Sequence, residues 1–600
     1  MSQNSIISQS PESGARKFWR VVFGSMLGFI LSMVVCFFLA VIFMLSMVAS
    51  LTPSTAILKD NSILKITLSN QIVDRATPNP FEDVDMGPFS ASTTTGLDDI
   101  LNCIEKAAAD PKIKGIYLNV SSIIAAHATL EEIRNALLKF KESGKFIFAY
   151  SDVYAQSAYY LATAADKIAL NPKGDVTFNG LAAQVLFYKG LLEKLNVDIQ
   201  VIRHGEFKSA IEPYTLDKMS EANRLQMNAL ISSVWENMLD KMVKTGRLSK
   251  DVFNAIADQL LCSNAEKAKV VGLIDLLCYY SDVEKELKTL AEIPESDKIS
   301  FVSLNDYKKS IKDIYKTGDK IAVIYALGQI IDGKGTDQII GSETLSREIQ
   351  KACKDNSVKA IVLRVNSPGG SALASEVIWN EIEMVKQAGK KVVVSMGDYA
   401  ASGGYWISCG ADAIIAQPST LTGSIGVFGM IPSLQNFLKN KLGVTVDVVT
   451  TNQHSDFSTG FRKLDEAEIK YFKIQIEDIY STFIQRVADG RGMTVEAVDK
   501  IGGGRVWSGT DAVELGLVDK LGGVEDAVAE AAILADLKEY DIVYYPVKKS
   551  WWTMLFDKEQ NSETAIKAKL GEFYYIYAAY NQIANERGIQ ARMPFDLIIE

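Results

Sequence analysis

The chain is organised around the stretch Asp398-Tyr-Ala-Ala-Ser402-Gly-Gly-Tyr-Trp-Ile-Ser-Cys409, which follows the apolar run Lys391-Val-Val-Val-Ser-Met396. The apolar run predicts a buried strand, and the apolar turn after the glycines predicts the start of a helix. A strand, a sharp turn that carries a serine, and a helix start form a geometry that presents a nucleophile. The two glycines would allow close approach to the backbone, and the amides at the helix start could hold a negative oxygen. The alternative is that Ser402 is only a helix cap beside a close-packed glycine pair.

Short β-branched runs alternate with helical patterns on either side of this stretch. Strands are predicted at Ile361-Val-Leu-Arg-Val365 and at Val392-Val-Val394, and the apolar spacing in residues 375–387 predicts a helix between them. Strand, helix and strand in sequence imply parallel pairing and therefore an α/β domain.

An internal repeat organises most of the chain, with copies about 245 residues apart, as between Tyr154 and Tyr399. Four matches keep their order: Leu64-Lys-Ile-Thr-Leu-Ser-Asn-Gln-Ile-Val-Asp74 with Ala322-Val-Ile-Tyr-Ala-Leu-Gly-Gln-Ile-Ile-Asp332, Lys114-Gly-Ile-Tyr-Leu-Asn-Val120 with Lys359-Ala-Ile-Val-Leu-Arg-Val365, Tyr154-Ala-Gln-Ser157 with Tyr399-Ala-Ala-Ser402, and Ala268-Lys-Val-Val-Gly-Leu-Ile-Asp275 with Ala512-Val-Glu-Leu-Gly-Leu-Val-Asp519. The pattern predicts two copies of one α/β domain.

Length and composition exclude several classes of protein. A chain of 600 residues is too long for one hydrophobic core, so at least two domains are expected. The formal net charge of −10 makes nucleic acid an improbable partner. No two of the six cysteines have CxxC spacing, so neither a zinc site nor a disulfide framework is indicated, and no cofactor or metal is expected.

The N-terminal region predicts a membrane anchor. Residues 21–51 carry no charge and are numerous enough to span a bilayer, and Arg16, Lys17 and Arg20 precede them. By the positive-inside rule, the short N-terminus stays cytoplasmic and the remainder of the chain lies across the membrane. A cleaved signal peptide, with Val48-Ala-Ser50 as a weak cleavage site, is the alternative.

Five segments are therefore predicted. They are a cytoplasmic N-terminus (1–20), a transmembrane anchor (21–51), a first α/β repeat (52–300), a second α/β repeat (301–545) and an aromatic C-terminal tail (546–600). Residues 76–95 are predicted to form a long surface loop, and residues 293–319 a polar bridge between the repeats. The aromatic stretch 564–584 suits a membrane interface, or a helix that packs on the second repeat or on a neighbouring subunit.

The two copies differ where chemistry is expected. The second copy has Asn366-Ser-Pro-Gly-Gly-Ser371 after a strand, where exposed amides could polarise a carbonyl, whereas the first copy has Ser121-Ser-Ile-Ile-Ala125. Ser402 is followed by two glycines, whereas its counterpart Ser157 is followed by alanine and tyrosine. The second copy therefore keeps a nucleophile and an oxyanion-type site, and Ser157 is predicted to be structural.

The candidate base lies in the first copy. Lys208 aligns with Ser455 of the second copy, so one site built between the copies would use both halves. Only three histidines exist, and of these His204, four residues before Lys208, is the serious rival as the base. Lysine serves as a base when its pKa falls from about 10.4 to roughly 7–8, which costs about 3–5 kcal/mol of desolvation or charge crowding. Ser424, in Thr420-Leu-Thr-Gly-Ser424-Ile-Gly-Val-Phe428, could orient the lysine amine, or could be an ordinary turn serine.

Several motifs resemble the family of signal peptide peptidase A, or protease IV, in its long duplicated form: Asn366-Ser-Pro-Gly-Gly370, Ala401-Ser-Gly-Gly404, Thr422-Gly-Ser-Ile-Gly426, Gly504-Arg-Val-Trp-Ser-Gly509 and Glu206-Phe-Lys-Ser-Ala-Ile-Glu-Pro213. The resemblance implies tandem domains of the crotonase or Clp-protease type after a transmembrane helix. It implies a Ser–Lys dyad in which Ser402 is the nucleophile, Lys208 the general base and Ser424 the residue that orients the lysine. Gly403 with Gly369 or Gly370 would form the oxyanion hole.

The resemblance further implies an endopeptidase that degrades signal peptides left in the membrane after secretion. The expected location is the cell inner membrane, with one membrane pass and the catalytic domains on the periplasmic side. The expected partners are signal peptides and other apolar peptide segments, the membrane, and further copies of the chain in a homo-oligomer, with a tetramer expected from the family. Two alternatives stay open at this point, a crotonase-like acyl-CoA enzyme and a non-catalytic membrane scaffold.

Overall fold

The computed structural model describes residues 14–51, 58–77, 94–311, 318–457, 459–548 and 589–593. Its strands are β1 Ser62–Ile66, β2 Gln71–Val73, β3 Thr94–Gly96, β4 Ile113–Leu118, β5 Phe146–Ser151, β6 Lys167–Leu170, β7 Asp198–Arg203, β8 Leu276–Leu277, β9 Ser300–Ser303, β10 Lys320–Leu327, β11 Gln329–Ile331, β12 Ile339–Gly341, β13 Val358–Ser367, β14 Gly369–Ser371, β15 Lys391–Ala401, β16 Ala413–Ala416, β17 Leu421–Gly423, β18 Phe428–Ser433, β19 Val506–Ser508, β20 Lys520–Leu521, β21 Asp541–Tyr545 and β22 Ile589–Arg592.

Its α-helices are α1 Gly14–Leu51, α2 Leu97–Ala109, α3 His127–Lys141, α4 Gln156–Ala162, α5 Lys189–Leu195, α6 Glu212–Thr215, α7 Glu221–Val243, α8 Lys250–Asp258, α9 Ala265–Val270, α10 Tyr280–Leu290, α11 Leu304–Ser310, α12 Ser342–Lys354, α13 Ala372–Gln387, α14 Gly403–Trp406, α15 Gln435–Phe437, α16 Glu466–Arg491, α17 Val495–Ile501, α18 Gly509–Glu514 and α19 Val524–Leu534. A 3₁₀ turn at Ser209–Ile211 and a π-helical turn at Leu438–Leu442 complete them.

The N-terminal helix α1 is a unit by itself. Its segment Lys17–Leu39 has 23 residues, a mean hydropathy of 2.4 and no buried residue, which suffices by length and composition to cross a membrane. The predicted charge-free run, residues 21–51, lies wholly within this helix.

The first repeat is built on a parallel sheet of six strands in the order β8-β6-β5-β4-β1-β9. Its strands pair in parallel throughout. Parallel strands are covered by helices on both faces, so their residues are buried almost continuously, as in β5, where five of six residues are buried. The predicted α/β class is therefore confirmed for this half.

The second repeat reproduces this plan. The order β19-β17-β15-β13-β10-β21 forms its main sheet, with β16 beside β15 and β20 beside β16. Strands β10, β13, β15 and β16 follow one another in parallel, as β1, β4, β5 and β6 do in the first repeat. The predicted strands at Ile361 and Val392 lie in β13 and β15, and the predicted helix of residues 375–387 lies in α13.

A third sheet joins the two repeats, in the order β12-β11-β14-β22-β18-β7. Strand β7 of the first repeat runs antiparallel to β18 of the second over six residue pairs. Directly after β7 the chain reaches Lys208, so this pairing carries the candidate base towards the second repeat.

Three predicted segments differ from the structure or lie partly outside it. The loop predicted for residues 76–95 includes Thr94 and Thr95, which instead form β3 beside β2, and residues 78–93 lie outside the described residues. The bridge predicted for residues 293–319 contains β9, which pairs with β1, and helix α11. The aromatic stretch 564–584 lies outside the described residues. The boundaries of the five predicted segments stay predictions.

Candidate active site

Ser402 occupies a strained turn between β15 and α14. Its backbone has φ 54° and ψ −115°, a conformation that residues with a Cβ rarely adopt. Two hydrogen bonds hold the turn, because the Ser402 N–H donates to the Gly423 carbonyl and the Trp406 N–H donates to the Ser402 carbonyl, both at 2.8 Å. The Ser402 side chain is fully buried. The local geometry is the strand, turn and helix start that the sequence predicts.

Lys208 brings its amine directly to this turn, although 194 residues separate the two in sequence. Its Nζ lies 2.8 Å from the Ser402 Oγ, 3.0 Å from the Ser424 Oγ and 3.1 Å from the Ser424 carbonyl oxygen. All three side chains are fully buried. The residues predicted as nucleophile, base and orienting group therefore lie in one hydrogen-bonded cluster.

Burial decides the protonation of the lysine. Removal from water lowers the pKa of the Lys208 amine well below its usual value of 10.5, because the charged form loses its hydration. Burial is the only cause of this shift, and no charged group among the described residues opposes it. The amine is therefore able to accept a proton, which the charged form of an exposed lysine cannot do.

The loop that carries Lys208 is clamped by both repeats. From the second repeat, Gly504 packs so closely that a Cβ on it would lie 2.6 Å from the Lys208 Cβ. The Phe207 N–H also donates to the Gly503 carbonyl at 3.1 Å. From the first repeat, the Gln226 amide donates to the Phe207 carbonyl at 3.2 Å. The glycine that begins the motif Gly504-Arg-Val-Trp-Ser-Gly509 thus makes room for the lysine backbone.

Ser424 is held in a second turn with positive φ. Its φ is 48°, and its N–H donates to the Arg505 carbonyl at 2.7 Å. The turn directs both the hydroxyl and the carbonyl of Ser424 at the lysine amine. Because two acceptors of one residue hold Nζ, the amine has little freedom to rotate away from Ser402.

The three candidate oxyanion glycines have different surroundings. Gly369 and Gly403 face each other, since a Cβ on Gly369 would lie 2.7 Å from the Gly403 nitrogen. The Gly369 N–H donates to the Ser367 Oγ at 3.1 Å, within its own loop. Gly370 belongs to β14, where it pairs with Ile330 of β11 and Ala591 of β22. Gly369 thus lies beside Gly403, the residue that directly follows Ser402, whereas Gly370 is engaged in a sheet.

A buried charge network that the sequence analysis does not predict lies behind the site. Arg364 of β13 donates to Asp74 and to Glu132 of the first repeat, both at 2.6 Å. Two residues further along, the Asn366 amide donates to Asp74 at 2.5 Å and to Asp398 at 3.2 Å. The network joins the two repeats and reaches both the Asn366-Ser-Pro-Gly-Gly370 loop and the strand that ends at Ser402. No local pattern in the sequence signals these pairs, because their partners are up to 292 residues apart.

Among the described residues, no histidine side chain has a hydrogen bond to Ser402, Lys208 or Ser424. His204, the rival base, contacts Glu477 at 2.7 Å and stacks on Tyr480 with ring centroids 3.6 Å apart. Burial lowers the pKa of His127 to about 4. His454 contacts Glu468 at 2.9 Å.

A potential group of metal ligands is present elsewhere in the described part of the chain. His454, Asp465 and Glu468 have ligand atoms within 4.8 Å of one another. Arg462 donates to both oxygens of Glu468, at 2.6 and 2.7 Å, so its guanidinium already supplies the positive charge. This group is remote in sequence from Ser402 and Lys208 and makes no described contact with them.

Comparison with known proteins identifies the family to which the chain belongs. The family model described as "Peptidase family S49" matches residues 139–294 and 384–538, once in each repeat. The chain is similar to Protease 4 of Salmonella typhi, with 41% identity over 517 residues that cover 84% of this chain and 83% of the relative. It is also similar to the chloroplastic serine protease SPPA of Arabidopsis thaliana, with 31% identity over 549 residues that cover 89% of this chain and 78% of the relative.

Among solved structures, a ClpP1 mutant from Listeria monocytogenes shares 17% identity at a TM-score of 0.23, over 34% of this chain and 94% of that one. The two family matches, together with the two mainly parallel sheets, confirm the tandem α/β duplication that the sequence predicts.

Proposed function

This chain belongs to peptidase family S49 and is a serine-type peptidase, and we propose that Ser402 and Lys208 form its catalytic dyad. One observation carries the proposal. The buried Lys208 Nζ lies 2.8 Å from the buried Ser402 Oγ, and burial lowers the pKa of that amine. Family membership favours a peptidase over the acyl-CoA enzyme and the non-catalytic scaffold that the sequence left open.

The proposed reaction begins with proton transfer from Ser402 to Lys208. The neutral amine takes the hydroxyl proton as the Ser402 Oγ attacks the carbonyl carbon of the peptide bond. Ser424 keeps the amine in place through its hydroxyl and its carbonyl. The amine then returns the proton to the nitrogen of the departing peptide, which leaves an acyl group on Ser402. Water, activated by the same amine, hydrolyses this ester and restores the serine.

Backbone amides would stabilise the negative oxygen that forms during each step. We assign this role to Gly403, directly after the nucleophile, and to Gly369, which faces it. In serine proteases, removal of one such donor lowers kcat about 10²–10³-fold. The absence of a Cβ at both positions lets a carbonyl oxygen approach them closely, as the Ala591 carbonyl oxygen does.

The proposed substrates are signal peptides that remain in the membrane after secretion, together with other apolar peptide segments. Helix α1 supports this proposal, because an apolar helix of this length would anchor the peptidase where such peptides lie. The basic residues before it support one membrane pass with a cytoplasmic N-terminus. The proposed location is therefore the inner membrane, with both repeats on the periplasmic side.

We further propose that the chain forms a homo-oligomer, with a tetramer as the expected state. The supporting observation is an exposed alternating stretch, in which Val444, Val446 and Val448 are each 45–49% exposed. Its counterpart in the first repeat is β7, which pairs with β18 of the second repeat. An equivalent strand of a second copy could cover these valines in the same way. A monomer by light scattering in detergent would contradict this proposal.

The test of the dyad uses the anchored chain in detergent and a synthetic signal peptide. Ser402→Ala and Lys208→Ala should each abolish cleavage while the far-UV and near-UV circular dichroism spectra stay unchanged. His204→Ala is the matched control and should retain activity within a few-fold. Full activity in Lys208→Ala, or its loss in His204→Ala alone, would transfer the role of base to the histidine.

A further inference from the structure

Gln226 of helix α7 holds the chain on both sides of Lys208. Its side-chain Nε2 donates to the Phe207 carbonyl at 3.2 Å and to the Ser209 hydroxyl oxygen at 2.9 Å. The Gln226 side chain is fully buried, so bulk water does not compete for these hydrogen bonds. The two residues that flank the candidate base are therefore fixed by one amide of the first repeat.

The oxygen of the same amide reaches the second repeat. The Gln226 Oε1 accepts the Val506 N–H at 3.3 Å. Val506 lies in β19 opposite Gly423 of β17, and Ser424 follows Gly423 directly. The carbonyl of Arg505, the residue before Val506, accepts the Ser424 N–H at 2.7 Å. One side chain thus connects the loop of the base with the strands that hold the orienting serine.

A buried polar network fixes the direction in which the Gln226 amide points. Its Nε2 also donates to the Asn223 Oδ1 at 3.1 Å. The Asn223 Nδ2 in turn donates to the Glu212 carboxylate at 2.9 Å, so the Asn223 oxygen is left to accept. A reversed amide would direct its oxygen at two acceptors, the Phe207 carbonyl and the Asn223 Oδ1, and would leave the Val506 N–H without one. The observed orientation is therefore the one that satisfies every partner.

Gln200 of β7 offers a comparison at the same boundary between the repeats. Its Nε2 donates to the Leu464 carbonyl at 3.1 Å, and its Oε1 accepts the Leu464 N–H at 2.6 Å. Within the described part of the chain, neither bond involves Lys208 or Ser424. Gln200 thus joins the repeats through an amide of the same kind without a contact to the site.

We propose that Gln226 is a positioning residue of the reaction, which sets the loop of Lys208 against β19 so that the lysine amine stays at the Ser402 hydroxyl. This inference rests on the proposed Ser402–Lys208 dyad. Misplacement of a catalytic group by about 1 Å lowers the rate up to about 10²-fold, so loss of the Gln226 amide should act on kcat. The KM should stay unchanged, because the fully buried Gln226 side chain offers no surface to a peptide.

The first test compares Gln226→Met with Gln200→Met, each as the anchored chain in detergent with a synthetic signal peptide. Methionine keeps the length of the side chain but cannot donate these hydrogen bonds. We expect the kcat of Gln226→Met to be about 10–10²-fold lower, with KM unchanged. Gln200→Met should keep both parameters of the unmodified chain. A kcat that is unchanged in Gln226→Met, or equally reduced in both variants, would overturn the positioning role.

Gln226→Glu gives a readout that a merely structural role would not move. A protonated carboxyl group presents a donor and an acceptor, as the amide does, whereas a carboxylate only accepts. Full burial raises the pKa of a Glu carboxyl group from about 4.3 by up to about 3–5 units, so the donor should be present near pH 6 and lost towards pH 9. We expect the kcat of Gln226→Glu, divided by that of the unmodified chain at the same pH, to fall about 10-fold from pH 6 to pH 9. The ratio should recover when the same sample is returned to pH 6.

The positioning role and the dyad fail in different ways. A kcat ratio for Gln226→Glu that stays constant from pH 6 to pH 9, while Lys208→Ala is inactive, would overturn the positioning role and leave the dyad intact. Full activity in Lys208→Ala would overturn the dyad, and the positioning role with it.

Discussion

Replacement of Arg364 by methionine tests whether the buried charge network holds the two repeats together. Arg364 is 1% exposed and donates to Asp74, Glu132, the Ser395 hydroxyl and the Met396 carbonyl, at 2.6, 2.6, 2.8 and 3.2 Å. Methionine fills much of the same volume, but it leaves two carboxylates of the first repeat buried without their cation. Packing is therefore largely kept while the electrostatic partner is removed.

The expected loss follows from the cost of an uncompensated buried charge. Removal of one partner from a buried ion pair costs about 3–5 kcal/mol of unfolding free energy. Burial raises the pKa of Glu132 even with Arg364 present, so without the guanidinium this carboxyl should become protonated at still higher pH. A carboxyl group whose pKa is raised by folding makes the free energy of unfolding fall as the pH rises above the pKa of that group in the unfolded chain, about 4.3 for Glu. The loss should therefore be smaller at pH 5 than at pH 8.

Urea unfolding in detergent, followed by tryptophan fluorescence at both pH values, measures this loss. The control is Lys139→Met, which breaks a surface ion pair between the repeats, Lys139 with Glu525 at 2.9 Å, whose side chains are 62% and 39% exposed. That change should cost less than about 1 kcal/mol. A loss for Arg364→Met as small as that of the control, or equal at the two pH values, would refute the role given to the network.

Two other outcomes follow from the site. Gly369→Ala should lower kcat about 10²–10³-fold, because its Cβ would enter the space before the Gly403 nitrogen, whereas Gly389→Ala, at a φ of 84° in open space, should leave kcat unchanged. Lys208→Met should be inactive but more stable than the unmodified chain, since it removes an amine whose burial is costly. Burial lowers the pKa of Lys208 in the folded chain, so the unfolded chain binds more protons up to pH about 10.4, the pKa of lysine in an unfolded chain. The unmodified chain therefore becomes more stable as the pH rises. The extra unfolding free energy of Lys208→Met in urea should accordingly shrink from pH 6 to pH 10. An advantage that is constant over this range, or a kcat equally reduced by both glycine changes, would contradict these expectations.

Local patterns in the sequence predicted much of the fold. The β-branched runs at Ile361 and Val392 become β13 and β15, because parallel strands buried on both faces must be apolar almost throughout. The repeat predicted the second sheet from the first, since equal patterns bury equal faces. Ser402 could be found because its strand, glycines and helix start lie within a few residues of one another.

Features that depend on distant partners could not be predicted in the same way. Arg364 looks like any strand residue in sequence, and only folding shows that Asp74 and Glu132 surround it. The pairing of β7 with β18 likewise joins two repeats through backbone groups that every residue possesses. Strand β22 falls within the predicted aromatic tail, because a strand of four residues gives no periodicity from which its place between β14 and β18 could be inferred.

Acylation of Ser402 gives the most direct test of the Ser402–Lys208 dyad. The anchored chain is mixed with a peptide ester and quenched in acid, and the fragment that carries Ser402 is weighed by mass spectrometry over time. The unmodified chain and His204→Ala should acylate Ser402 at similar rates, whereas Lys208→Met, although folded, should do so about 10²–10⁴ times more slowly because it lacks the general base. Acylation of Lys208→Met at the rate of the unmodified chain, or acylation at a residue other than Ser402, would contradict the dyad.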